Sequence, residues 1–193
     1  LSYWNEANFV LMDSTYSIVD TIECKNGYVA DFHDFIHLKD RHSFLLSWDR
    51  QIVDLSGFGG DPEAQVEGLI IQELDEKEDV VFQWRSWDHF SITDSYVNLL
   101  SAVIDYVHGN SMSIDSDTSM ILSSRNLFEI TKINRKTGDI IWRLGGKNNE
   151  FNFINDSRRF SWQHSAIKLS NGNLILYDNG LDSDPNYSRG LEY

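Results

Sequence analysis

The sequence predicts an all-β fold, a β-propeller built of four-stranded blades, and three observations support this prediction. Short segments of alternating apolar and polar residues occur in pairs joined by polar turns, which is typical of β-hairpins. Two kinds of hairpin alternate along the chain and recur after about 55–60 residues, which gives four strands per period. No segment carries a convincing helical stripe of apolar residues, and the best candidate, Glu63 to Glu67, is short.

The first kind of hairpin opens each time with a histidine. The segments that begin at His33, His108 and His164 alternate apolar and polar residues, pass through a polar turn and become apolar again. In the third segment the turn at residues 170–173 contains Asn and Gly, which tolerate a positive φ. The three histidines therefore occupy equivalent positions in successive repeats.

The second kind of hairpin ends each time at a tryptophan. Leu69 to Trp84 and Phe128 to Trp142 each contain a strand, a charged turn and a closing apolar run. Clusters of Asp, Asn, Ser and Gly are typical of loops, and they lie near residues 56–62, 109–119, 145–157 and 178–190.

The repeat predicts an incomplete ring. Propellers have about four to eight blades, and at this period 193 residues hold about three to four. We therefore expect residues 1–193 to form a single, incomplete propeller domain of a longer ring. An open β-sandwich is the alternative.

Composition narrows the range of partners. The net charge of −14 argues against nucleic acid and anionic membranes as partners. No apolar stretch approaches the roughly 20 residues that cross a bilayer.

The chain begins at Leu1 without a charged and apolar leader, so we expect a mature form or an internal fragment, and export stays an open alternative. Cys24 is the single cysteine, and we expect an inert thiol there.

Two histidines are the first candidates for chemistry. If the innermost strand opens each repeat, His108 and His164 both face the central channel of the ring, because equivalent positions of successive blades lie around one axis. A hydrogen-bonded histidine that caps a blade is the alternative at each position. His33 has the same place in its repeat and is followed by His37. Residues four apart on one strand are about 13 Å apart, too far for one ion, and we expect no metal site.

Arg189 is the third candidate. A guanidinium holds two oxygens of a tetrahedral anion at once and stays charged at any working pH. The alternative is a solvated loop arginine.

Taken in order, six short motifs resemble the arylsulfotransferase family. The resemblance covers about residues 30–193 and is strongest from about residue 104 onward. The run Gly138 to Lys147 is among its more specific parts. The motifs are His108-Gly-Asn-Ser, Ile121-Leu-Ser-Ser-Arg125, Thr137-Gly-Asp-Ile-Ile-Trp-Arg-Leu-Gly-Gly-Lys147, Trp162-Gln-His164, Tyr177-Asp-Asn-Gly180 and Ser188-Arg189.

The resemblance implies a six-bladed propeller that transfers a sulfuryl group from a phenolic sulfate ester to a phenolic acceptor. It implies no cofactor and no nucleotide sulfate donor, and it favours export to the periplasm or out of the cell. His108, His164 and Arg189 match channel residues of the family. The family's covalent nucleophile is a further histidine after the Ser-Arg motif, which implies that it lies beyond Tyr193.

These matches predict roles for individual residues. We expect Arg189 to clamp the sulfuryl group, and His164 and His108 to act at its oxygens or at the leaving group. Three amides are expected to bind substrate or orient these groups: Asn110, Gln163 and Asn179.

The alternative function is a non-catalytic propeller that binds a ligand or partner. A hydrolase that uses water as acceptor is a weaker option.

Overall fold

Four sheets, antiparallel except for one short parallel strand, form the chain in the computed structural model, which describes residues 1–116 and 118–193. In the described part the regular elements are strands and single-turn 3₁₀ helices, with no α-helix. The all-β class predicted from the hairpin pattern is confirmed. The best helical candidate, Glu63 to Glu67, lies mostly in a long strand that begins at Ala64.

The strands follow one another sheet by sheet. The first sheet contains β1 (Ser2–Asn5), β2 (Asn8–Met12) and β3 (Ile18–Glu23). The second contains β4 (Ala30–His37), β5 (Ser43–Val53), β6 (Ala64–Leu74) and β7 (Val80–Arg85), with β8 (Val103–Asp105) parallel to β6. The third contains β9 (Gly109–Ser116), β10 (Ser119–Ser124), β11 (Glu129–Asn134) and β12 (Ile140–Gly145). The fourth contains β13 (His164–Lys168), β14 (Leu174–Asp178) and β15 (Arg189–Glu192). Single 3₁₀ turns occur at Ser56–Phe58, Ser86–Asp88, Ile92–Asp94 and Arg125–Leu127.

The predicted repeats correspond to these sheets. Each histidine-led hairpin forms the first two strands of a sheet, β4–β5, β9–β10 and β13–β14. The tryptophan-ended hairpins form the third and fourth strands, β6–β7 and β11–β12. One loop assignment was wrong, because most of the polar cluster at residues 109–119 forms β9. Hydrogen bonding to β10 and burial of residues 109–112 override the turn preference of its Ser and Asn side chains.

Successive sheets pack face to face through alternating residues. On β5, Leu45 joins an apolar cluster with the first sheet, while Leu46 joins the cluster shared with the third sheet. On β10, Leu122 packs toward the second sheet and Ile121 toward the fourth. This period of two buries both faces of the middle sheets, as in the stacked blades of a partial propeller.

The first strands of the last three sheets lie side by side. β9 contacts both β4 and β13. The Asp34 carboxylate on β4 accepts a hydrogen bond from the Met112 amide at 2.5 Å, and the Ala166 amide donates to Ser111 Oγ at 3.1 Å. These cross-links bring the beginnings of the three histidine-led strands together.

Candidate active site

Three histidines converge where β4, β9 and β13 meet. His33 lies in β4, His108 directly precedes β9, and His164 is the first residue of β13. The rings of His33 and His108 meet edge to face with centroids 4.7 Å apart. Charge on either ring lowers the pKa of His164, which places all three within electrostatic reach of one another.

His108 is held by one carboxylate at two points. Asp105 accepts a hydrogen bond from the backbone amide of His108 at 2.9 Å and pairs closely with its Nδ1. The residue is buried and has a φ of 52°, a conformation that is uncommon outside glycine. The backbone amide of Arg125 donates to the His108 carbonyl at 3.0 Å, so the positions of the two residues are coupled. Nε2 of His108 is buried and has no hydrogen-bond partner among the described residues.

His33 has a carboxylate partner of its own. Its Nδ1 lies 2.6 Å from the buried carboxylate of Asp31, whose other oxygen accepts from the Trp48 indole N–H at 2.7 Å. Burial raises the pKa of Asp31, but the hydrogen bonds from His33 and Trp48 outweigh it and lower the pKa overall. Asp31 therefore stays ionised and fixes the His33 ring.

His164 is held by a carbonyl group instead. Its Nδ1 lies 3.0 Å from the Trp162 carbonyl oxygen, which can only accept, and 3.1 Å from the Asn179 amide nitrogen, which can only donate. Because the Asn179 amide already donates to that carbonyl at a shorter distance, 2.6 Å, we assign the proton of the neutral ring to Nδ1 and the lone pair to Nε2. Burial lowers the pKa of His164, and the charges of Arg125 and the other two histidines lower it further, against the opposing effect of Trp162. The ring is therefore neutral near pH 7.

Arg125 is a further candidate site residue, for which the sequence reasoning assigned no role. It begins the 3₁₀ turn after β10, and its guanidinium carbon lies 4.7 Å above the centroid of the Trp162 ring. Its Nε donates to the Asn126 side chain, and no carboxylate of the described residues pairs with it. Its place in the predicted hairpin could have identified it. In an antiparallel hairpin the end of the second strand, β10, lies beside the start of the first, β9, where His108 is.

Arg189 occupies different surroundings. Its Nε donates to the fully buried Asp178 at 2.8 Å and its Nη1 to Asp156 at 2.9 Å, and its Nη2 donates to the Arg159 carbonyl. Asp178 in turn accepts from the amide of Ser161 at 2.9 Å. Among the described residues it has no hydrogen bond to the three histidines. The arginine thus ties down the segment that leads into His164, and its role as a clamp stays a prediction.

The three amides expected to orient the site lie around His164. Asn110 is buried and donates to the Gln163 carbonyl at 2.8 Å. Gln163 is fully buried and donates to the carbonyls of Ser124 and Glu129, both at 3.1 Å, which links the third sheet to the fourth. Asn179 lies 3.1 Å from Nδ1 of His164. Gln163 is therefore a structural link, whereas Asn179 contacts the imidazole itself.

The residues around the site do not form a metal centre in the described part of the chain, where no group of three or more His, Cys, Asp or Glu side chains is arranged to hold an ion. His33 is engaged by Asp31, while His37 has its Nδ1 2.9 Å from Ser43 Oγ.

Among residues 1–116 and 118–193, none of the helices has the length and apolar character needed to cross a membrane.

Comparison with known proteins agrees with the motifs. The family model described as arylsulfotransferase (ASST) matches residues 6–190. No curated protein matched the chain. Among solved structures, a protein of unknown function from Bacteroides caccae shares 10% sequence identity, with a TM-score of 0.41 over 98% of this chain and 71% of that chain. That likeness is too weak to support an argument.

Proposed function

The chain belongs to the arylsulfotransferase family, and we propose that it transfers a sulfuryl group from a phenolic sulfate ester to a phenolic acceptor at the three-histidine site. The observation that carries this proposal is the convergence of His33, His108 and His164, each with its Nδ1 held by an acceptor. Arg125, which has no carboxylate partner among the described residues, adds a positive charge beside them.

We assign the nucleophile to His164, within the chain, in place of a histidine beyond Tyr193. A neutral imidazole attacks through the nitrogen that carries the lone pair. The Trp162 carbonyl keeps the proton on Nδ1, which leaves Nε2 for attack, and the lowered pKa keeps the ring neutral at pH 7. His108 and His33, by contrast, are backed by carboxylates that stabilise an imidazolium, which suits them to proton transfer.

The first half-reaction produces a sulfohistidine. Nε2 of His164 forms a bond to sulfur while the bond between sulfur and the aryl oxygen breaks. The protonated His108 gives its proton to the departing phenolate, and a phenol leaves. Asp105 does not take this proton; it holds the ring and stabilises its positive charge. His33 is a second candidate for the same proton because Asp31 holds it in the same way.

The second half-reaction restores the enzyme. The acceptor phenol gives its proton to the now neutral His108, and its oxygen forms a bond to sulfur. The bond between sulfur and Nε2 breaks, and the electron pair returns to His164. The products are the sulfated acceptor, a neutral His164 and a protonated His108, so the cycle ends in the state in which it began.

Arg125 suits the role of the clamp better than Arg189 does. Negative charge on the sulfuryl oxygens needs a cation that is free to contact them. The two carboxylates that pair with Arg189 already occupy its guanidinium, whereas Arg125 is engaged by an amide and an aromatic ring. In a protein with a net charge of −14, this local positive charge favours an anionic donor.

A transfer assay tests the proposal. The protein is incubated with 4-nitrophenyl sulfate and a phenol acceptor, and both release of nitrophenol and sulfation of the acceptor are followed. We expect His164→Asn to abolish transfer and His108→Asn to slow it by about 10²–10⁴-fold, the usual contribution of a positioned proton donor.

His37→Asn is the matched control, because His37 is an exposed histidine at the end of the strand that carries His33 near its middle. This variant should retain full activity. Transfer that survives in His164→Asn would contradict the assigned nucleophile. Failure of the wild-type protein to turn over any aryl sulfate would favour the non-catalytic alternative, and nitrophenol release without acceptor sulfation would favour the hydrolase.

A further inference from the structure

Three arginines without an acidic partner lie near one another. The chain has nine arginines. Six of them have a carboxylate within 4.0 Å in the described structure, and the three that do not are Arg125, Arg158 and Arg159. Arg125 lies over Trp162, while Arg158 and Arg159 line a cavity together with Phe128, whose ring centroid is 6.1 Å from that of Trp162. In so acidic a protein, such a grouping concentrates positive potential on one region.

The cavity that Arg158 and Arg159 line is separate from the three-histidine site. Its volume is about 200 Å³, and none of the three histidines lines it. Tyr96 and Phe128 form an aromatic wall, with their rings stacked at a centroid distance of 4.3 Å and nearly parallel. A cavity of about 150 Å³ is large enough to hold benzene, so this one has room for a substituted benzene ring.

Arg158 presents donors that the chain does not use. Its guanidinium packs 3.8 Å above the centroid of the Tyr187 ring, and its Nη2 donates to the Tyr187 carbonyl at 2.5 Å. Its Nε and Nη1 are buried and have no hydrogen-bond partner among the described residues. Buried charged donors without an acceptor are costly, and a rotation of the Arg158 side chain toward an oxyanion in the cavity would supply the acceptor.

The acidic groups near the cavity are already engaged. Asp182 lines it, but its carboxylate accepts from the Trp162 indole N–H at 2.9 Å. Glu129 does not line the cavity but lies next to Gly146, which does, and its carboxylate pairs with Arg143 at 2.8 Å. Neither carboxylate neutralises Arg158 or Arg159, so an incoming anion meets two positive charges beside an aromatic wall.

We propose that this cavity is a second ligand site, which binds an aromatic ring that carries an anionic substituent such as a sulfonate or a carboxylate. The guanidinium of Arg158 donates to the oxyanion, Arg159 contributes a second positive charge, and Tyr96 and Phe128 contact the ring. The site does not depend on sulfuryl transfer, and binding alone tests it.

Calorimetric titration of the protein with benzenesulfonate provides the test. We expect saturable binding that weakens by about tenfold or more in both Arg158→Gln and Arg159→Gln, because each loses a charged partner of the anion. Arg41→Gln, which alters an exposed arginine, should bind as the wild-type protein does. Arg125→Gln, at the histidine site, should retain the binding that depends on Arg158 and Arg159. Thermal unfolding of each variant verifies that it is folded, and the exposed Arg159 provides a test even if the Arg158 variant does not fold.

Two further ligands separate charge from ring. Inorganic sulfate and neutral benzyl alcohol should each bind at least about tenfold more weakly than benzenesulfonate, since each makes only part of the contacts. Binding that is lost in Arg125→Gln and kept in Arg158→Gln and Arg159→Gln would assign the ligand to the histidine site and overturn the proposal. Equal affinity for inorganic sulfate would overturn the aromatic part of it.

Discussion

The position of one proton on His164 governs what its ring can do. The Trp162 carbonyl accepts from Nδ1, and the carbonyl in turn accepts from Asn179, which keeps it oriented. The same ring has a lowered pKa, first because it is buried and then because positive groups surround it. The repeat alone predicted His108 and His164 as candidates, but it could not predict their hydrogen-bond partners, because these depend on the geometry of the loops.

The first prediction concerns this proton. ¹⁵N NMR at pH 7 should show a neutral His164 with its proton on Nδ1, and the ring should titrate below the ordinary value of 6.5. Activity that requires the neutral ring should therefore persist as the pH falls through 6.5 and decline only below it. The spectrum of His164→Asn assigns the signal. A neutral ring with its proton on Nε2 would contradict the nucleophilic role.

The second prediction separates the two arginines. Arg125→Ala should lower kcat/KM by about 10²–10³-fold, the usual cost of losing one preorganised donor to developing charge, and change the free energy of unfolding by about 1 kcal/mol or less. Arg189→Ala should lower the free energy of unfolding by about 3 kcal/mol, because it leaves the fully buried Asp178 without its counter-charge.

Urea denaturation and steady-state kinetics of the two variants distinguish these roles. If Arg189→Ala stays as stable as the wild-type protein and loses most of its transfer rate, Arg189 is the clamp that the sequence motif predicts. Sequence alone could not decide between the two, because Asp156 and Asp178, which pair with Arg189, lie 33 and 11 residues from it in the chain.

At the scale of the strands, the hairpin repeat was the most informative signal. Alternation of apolar residues and the turn residues between them predicted β4–β5, β9–β10 and β13–β14 in kind and in order. The repeat did not predict β8, which is three residues long and pairs parallel with β6. A strand that short carries no periodicity, and its pairing arises from tertiary contact only.

The third prediction concerns a carboxylate that joins three strands. Asp115 on β9 pairs with Lys132 on β11 and with Lys168 on β13 at 2.7 Å. Burial raises the pKa of Asp115, but the two lysines and Ser119 outweigh it and lower the pKa to about 2. Because the pKa of Asp115 is lower in the folded protein than the ordinary 3.8 of the unfolded chain, its ionised form stabilises the fold. This stabilisation is complete above pH 3.8 and is lost as the pH falls through about 2.

Denaturation of Asp115→Asn and of the wild-type protein between pH 6 and 2 measures this contribution. We expect the wild-type protein to be more stable by about 1–2 kcal/mol at pH 6 and the difference to shrink as the pH falls toward 2. Asp88→Asn, at an exposed position 3.8 Å from the Arg85 guanidinium, is the control and should match the wild-type protein to within about 0.5 kcal/mol throughout, because an exposed ion pair contributes little. A difference that does not change with pH would show that the ion pairs between these strands are not the source of the stability.

At the scale of the whole molecule, the hairpin repeat and the family match both indicate a partial propeller. The repeat predicts stacked four-stranded sheets, and the family model matches residues 6–190. The fold then brings His33, His108 and His164 together although 131 residues separate the first from the last. Equivalent places on stacked sheets fall around one axis, so the convergence follows from the architecture. The fold could therefore be predicted from the sequence much further than the chemistry of its loops.

The central claim is that His164 carries the sulfuryl group between donor and acceptor. Its most direct test is mass spectrometry of the protein after brief incubation with 4-nitrophenyl sulfate and no acceptor, followed by digestion and sequencing of the modified peptide. We predict one added sulfuryl group on His164, lost when a phenol is supplied and absent from His164→Asn. A sulfuryl group on another residue, or nitrophenol release with no modified peptide at any time, would contradict the account.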